Sequence, residues 1–82
     1  MLKTQPVYVS WSDAVSQDEW VELDEAKKLK PHAISTLGWL IHEDKDCVIV
    51  CLNIDLHRPG SSQMISIPRA WIHKMTKLKI KI

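Results

Sequence analysis

The stretch Leu37-Gly38-Trp39-Leu40-Ile41-His42-Glu43-Asp44-Lys45-Asp46-Cys47-Val48-Ile49-Val50-Cys51-Leu52 decides the fold. Two apolar runs flank the polar connection Glu43 to Asp46, which suits a hairpin. Placing His42 opposite Cys47 pairs Ile41 with Val48, Trp39 with Val50, Leu37 with Leu52 and Ser35 with Ile54. One face then becomes large and apolar, as a core face should. The other carries His42, Leu40, Gly38 and Thr36 against Cys47, Ile49, Cys51 and Asn53, and is expected to lie under a further strand or another subunit. Gly38, in mid-strand, marks a sharp bend or a close backbone approach.

Working outward, Val7-Tyr8-Val9-Ser10-Trp11 has the β-branched and aromatic content of a first strand. Ser12-Asp13 and Ser16-Gln17-Asp18 carry turn and cap chemistry. Leu23, Ala26 and Leu29 share one helical face, acidic residues come early and lysines late, and Pro31 stops the segment. The spacing predicts a short helix over 22–30, stapled to the sheet by Trp20. After the hairpin, His57-Arg58-Pro59-Gly60-Ser61-Ser62 is a turn cluster and Gln63 to Ile67 alternates as a strand. Pro68-Arg69-Ala70 interrupts, and a last segment from Trp71 ends in the alternation Leu78-Lys79-Ile80-Lys81-Ile82, read as an edge strand with lysines outward. Strand, helical turn and bulge all fit Ile72 to Met75. The expected architecture is mainly β: a small five-stranded, partly open barrel with one short α-helix after the first strand, as a single domain over 1–82.

Composition narrows the function classes. Eighty-two residues, 45% hydrophobic and 26% charged, describe a small globular chain with too little core to enclose a deep active site. No apolar run approaches the roughly 18 residues of a membrane span. Met1 to Pro6 lacks the apolar run of a signal peptide, so a cytoplasmic location is expected. Net charge is +1, which gives no polycation for nucleic acid. The charge is segregated, however, with carboxylates in the first third and Arg69, Lys74, Lys77, Lys79 and Lys81 in the last fourteen residues. On one strand Cys47 and Cys51 would lie roughly 13 Å apart, beyond the ~7 Å a disulfide spans, so two reduced thiols are expected.

The hairpin resembles the first Sm motif: Gly38-Trp39-Leu40 supplies Gly-x-Leu, Asp44 follows at the expected offset, and Ile49 and Cys51 take the later apolar positions. Ile67-Pro68-Arg69-Ala70-Trp71-Ile72 resembles the helical turn between the last two strands of Src-homology-3-like barrels. Both resemblances imply a small barrel. The Sm asparagine that contacts uracil falls at Val48, and no Arg-Gly pair follows in the next strand pair. Most of the chain is also similar to small, uncharacterised phage and prophage proteins, through Trp11-Ser12-Asp13-Ala14, Trp20 with Glu25-Ala26, Gly38 to Asp44 and Ile67 to Ile72. That likeness implies an early phage gene used to counter the host, acting in the host cell's cytoplasm.

Chemistry points to binding rather than catalysis. There is no Gly-x-Ser-x-Gly elbow, phosphate loop or His-Glu-x-x-His helix. His57 and His73 are the candidate acid–base residues, but no enzyme activity, metal or cofactor is expected. In the proposed register His42 and Cys47 offer two ligands where zinc takes three or four. Four of the five aromatic residues are tryptophans; Trp39 is expected in the core, while Trp11 and Trp71 border turns and are either structural wedges or stacking surfaces for a base or a partner. Arg58, Gly60, Ser61 and Ser62 form a candidate anion site, with Arg69 approaching from the next turn. The expected function is a homo-oligomeric binding protein that sequesters a phosphorylated nucleotide signal. Alternatives are a protein–protein inhibitor of a host enzyme and an Sm-like RNA binder.

Overall fold

A strand that changes partner part-way along its length organises the molecule. The computed structural model describes residues 4–80. The elements are β1 (Pro6–Asp13), α1 (Leu23–Ala26), β2 (His32–Glu43), β3 (Cys47–Asp55), β4 (Gly60–Pro68), a 3-10 turn (Arg69–Trp71) and β5 (Ile72–Lys77). Five antiparallel strands form one sheet in the order β4-β3-β2-β1-β5. His32 to Trp39 of β2 pair with β1, whereas Trp39 to Glu43 pair with β3, so the two ladders meet at Trp39, opposite both Pro6 and Cys51.

Glycine makes that changeover possible. A Cβ on Gly38 would lie 2.5 Å from the Cys51 carbonyl oxygen and 2.8 Å from Cγ1 of Val50. Only a residue with no side chain lets β2 run this close to β3 while turning toward β1. The close approach also corrects the expected register. Trp39 faces Cys51 and Leu40 faces Val50, one step away from the Trp39–Val50 pairing. Beyond Leu40 a bulge adds a further step, placing His42 opposite Ile49 and Glu43 opposite Val48. The inward face of β2 therefore carries Ile34, Thr36, Gly38 and Leu40, and Trp39 is not part of the core.

The core is small. Val7, Val9 and Trp11 from β1, Val48 and Val50 from β3, and Ile67 from β4 are buried together, with Ile34, Leu40, Ile72 and Met75 packed against them. Alternation on β1 follows from its position between β2 and β5, with every second side chain turned inward. Trp11 is 5% exposed, and its indole N–H donates to Thr36 Oγ1 at 2.9 Å, which satisfies the one polar atom it carries inside.

Two other expectations change. The helix predicted over 22–30 is the single turn Leu23–Ala26, which buries none of its residues, and Trp20 is fully exposed rather than stapled down. An isolated turn gains too little to propagate without a surface to pack on. The last strand starts at Ile72 and ends at Lys77, so Leu78–Ile80 is not strand. The Leu78 amide still donates to the Pro6 carbonyl at 2.9 Å, and Gln5 Nε2 donates to the Leu78 carbonyl at 2.9 Å. Lys81 and Ile82 lie outside the described residues. Within them, no helix is long and apolar enough to cross a membrane.

The molecule is elongated, measuring 56 × 23 × 22 Å with a radius of gyration of 16.5 Å, against about 12 Å expected for a compact chain of this length. Past Cys51, β3 has lost β2 and pairs with β4 alone, so the two continue outward as a two-stranded ribbon. Gly38→Ala should collapse the changeover. Its Cβ meets backbone rather than a yielding side chain, and a loss of about 3 kcal/mol is expected in urea unfolding.

Candidate functional site

The expected ligand residues fall into three places. Arg58, Gly60, Ser61 and Ser62 lie at the ribbon tip and, with Asn53, Ile54 and Asp55, line an open hollow of about 360 Å³. Asp55 shapes it: Oδ1 accepts the amide N–H groups of His57 at 2.9 Å and Arg58 at 3.1 Å, an Asx-type turn. Those two amides are therefore taken. What faces a ligand is the Arg58 guanidinium and the Ser62 hydroxyl, whose Oγ accepts from Asn53 Nδ2 at 3.1 Å, while the Ser61 hydroxyl donates to Met64 Sδ at 3.1 Å. Gly60 sits in the ladder opposite Asp55 with an ordinary backbone conformation.

Trp11 and Trp71 come together at the far end of the sheet. Their rings stack with centroids 6.4 Å apart and planes 15° from parallel, within the range of favourable offset stacking. Trp11 is buried beneath, and Trp71 is 41% exposed above it. Trp71 borders a groove of about 290 Å³ lined also by Ser12, Asp13, Ala14, Pro31, Ala70 and His73. Ser12 Oγ and His73 Nε2 share a hydrogen bond across that groove. The sequence marks His73 as a candidate acid–base residue and Ser12-Asp13 as a turn, but not their meeting at this groove, because the Ser12–His73 contact spans 61 residues. It depends on a register shift between Ser10 and Trp11 in the β1–β5 ladder that no local pattern announces.

Arg69 belongs to neither group. Its Nε donates to the Asp44 carbonyl at 2.8 Å, its Nη2 to Glu43 Oε1 at 3.2 Å, and its backbone amide to the Asp46 carbonyl at 2.9 Å. Lys77 Nζ reaches Glu43 Oε2 at 2.7 Å. Glu43 thus ties the β2–β3 turn to the 3-10 turn and to β5. The Lys77 ammonium holds its carboxyl below the ordinary value against the opposing effect of burial, and Arg69 adds to the lowering. Asp44 is held well below its usual range by His42 and by the Cys47 and Asp46 amides. His42 bonds Asp44 rather than facing Cys47. Both cysteines are free thiols, and burial raises the pKa of Cys51. Among the described residues, no three His, Cys, Asp or Glu side chains gather as a metal site.

The two candidate ends are far apart in one chain. Cys47 pairs with Pro68 beside the 3-10 turn, and Asp55 pairs with Gly60 beside the tip. Eight residues of strand separate those rungs, roughly 26 Å. The chain matches no family model, no curated protein and no solved structure.

Because Glu43 has a lowered pKa in the fold, its ion pairs stabilise above the unfolded value, near 4.3 for glutamate, and that support is lost as pH falls through the lower folded value. The thermal midpoint of the wild type should therefore drop as pH goes from 5 to 3. Glu43→Gln should start lower at pH 7 and show a shallower acid drop, Asp44 supplying the remainder.

Proposed function

We propose that the protein is a non-catalytic binding protein that works as a homo-oligomer and sequesters a small phosphorylated nucleotide. One observation carries this reading: an arginine with two hydroxyls lines one hollow, and an exposed indole borders a separate groove. Each is half of a nucleotide site, one suited to phosphate and the other to a ring. Their separation within one chain makes the complete site a product of assembly. The resemblance to small phage and prophage proteins supplies the setting, an accessory protein that removes a signal from a host defence.

The fold that would present these halves is a partly open barrel of the Src-homology-3-like or Sm-like kind. Its support is the strand order, the shared bent β2 and the 3-10 turn before the last strand. An Sm-type RNA-binding role has less support, because Val48, at the position of the Sm asparagine, is fully buried. A second reading, inhibition of a host enzyme by direct contact, is favoured by the exposed Trp20 in an acidic segment.

Calorimetric titration with AMP, GMP, cyclic di-AMP and cyclic di-GMP decides between them. Saturable heat with at least one is expected. Arg58→Ala and Trp71→Ala should each weaken it about 10- to 100-fold, as loss of a charge-assisted hydrogen bond or of a ring stack would. Arg69→Ala should lower the melting temperature and leave affinity unchanged. Absence of heat with all four, alongside a stable complex with a host protein, would favour the second reading.

A further inference from the structure

The inward row of β1 ends on a charge. Val7, Val9 and Trp11 turn into the core, and Asp13 follows at the next position of the same parity, half-buried at the end of the strand. Its neighbour across the ladder is His32, yet among the described residues the Asp13 carboxylate forms no ion pair with His32 or with any lysine or arginine. The side-chain hydrogen bonds at this end of the sheet do not use it either: Trp11 donates to Thr36, and Ser12 bonds His73. Taking a carboxylate part-way out of water costs free energy that hydrogen-bond donors restore. This position suits a ligand that brings donors.

Asp13 lines the groove of about 290 Å³ that Trp71 borders, a volume at the small end for ligand pockets. One face of the Trp71 indole stacks on Trp11, whose own N–H is anchored by Thr36, so the exposed ring is a fixed, flat surface. A flat ring beside an acceptor-only group calls for a planar ligand with donors on its edge. Among the nucleobases, guanine alone presents two adjacent donors, N1–H and the N2 amine, spaced for the two oxygens of one carboxylate. Adenine and cytosine set an amine beside a bare ring nitrogen whose lone pair a carboxylate repels. Uracil sets a single N–H between two carbonyls. Ser12 and His73 complete the match. Whichever tautomer His73 takes, the pair keeps one N–H or O–H beyond the bond it shares, a donor for the guanine carbonyl O6.

We propose that the Trp71 groove selects guanine, with the base stacked on Trp71 and its N1–H and N2 amine donating to Asp13. This rests on the nucleotide reading above and names the base within it. Asp13 is then the residue that sets specificity, whereas Trp71 holds any base, and experiment separates the two roles.

Nucleosides carry no phosphate and so read this groove apart from the ribbon tip. The test follows the Trp71 indole N–H resonance in nitrogen-15-labelled protein during titration with guanosine, inosine and adenosine. Guanosine should shift it saturably and bind about 10- to 100-fold tighter than adenosine, the range set by hydrogen bonds to a charged group. Inosine, which lacks the N2 amine, should fall between them. Asp13→Asn, checked for an unchanged melting temperature, should weaken guanosine about 10-fold and leave adenosine unchanged. Trp71→Ala, followed by calorimetry, should weaken both nucleosides alike. Equal binding of guanosine and adenosine overturns the proposal, as does a preference that survives Asp13→Asn, or a Trp71 resonance that no nucleoside moves at millimolar concentration. If GMP and AMP bind equally and Arg58→Ala weakens both, the sequestration reading stands and only guanine selection falls. If guanosine binds as tightly as GMP and Arg58→Ala changes neither, guanine selection stands and the phosphate half of that reading falls.

Discussion

The structure depends on the absence of one side chain. At Gly38 the backbone of β2 lies so close to the Cys51 carbonyl and Val50 that a single carbon would collide with both. That approach lets one strand serve two ladders, with β1 before Trp39 and with β3 after it. It turns Leu40 rather than Trp39 toward Val7, Val9, Val48 and Val50. It also ends the β2–β3 pairing at Cys51, and so frees the ribbon that makes the molecule long. Core, shape and exposed apolar surface share this one cause.

The strands were legible in the sequence because alternation and turn residues are local. The hairpin connection, the break at Pro68 and the β1 segment all lie where their residues place them. The phase of β2 was not legible, since Leu37, Trp39 and Ile41 on one parity are as apolar as Leu40 on the other. Packing at Gly38, a contact between strands, decides between them. The helix failed for a related reason: Leu23, Ala26 and Leu29 have helical spacing, but spacing makes a helix only where there is a surface to receive it. At the candidate site, the Arg58 to Ser62 turn could be read directly. Asp55, two and three residues before the amides it holds, was readable as an Asx turn and was overlooked.

Arg69 shows how an attractive ligand residue becomes structural. It lies where sequence places it, at the turn before β5, but Glu43 and the Asp44 carbonyl take its donors. An arginine with its fork occupied by a carboxylate and a carbonyl has little left for phosphate. Among the described residues, Arg58 has no carboxylate partner. Trp11 and Trp71 divide in the same way, one filling the core and the other keeping an exposed surface above it. The polar and aromatic groups of Arg58 and Trp71 lie at opposite ends of the described chain.

The register of β2 against β3 is the most direct test. Cross-strand backbone NOEs in the labelled protein should connect Trp39 with Cys51 and Leu40 with Val50, then shift so that Glu43 meets Val48. Contacts of Trp39 with Val50 and of Ile41 with Val48 would contradict it. They would return Trp39 to the core and remove the close approach at Gly38 from which the ribbon follows.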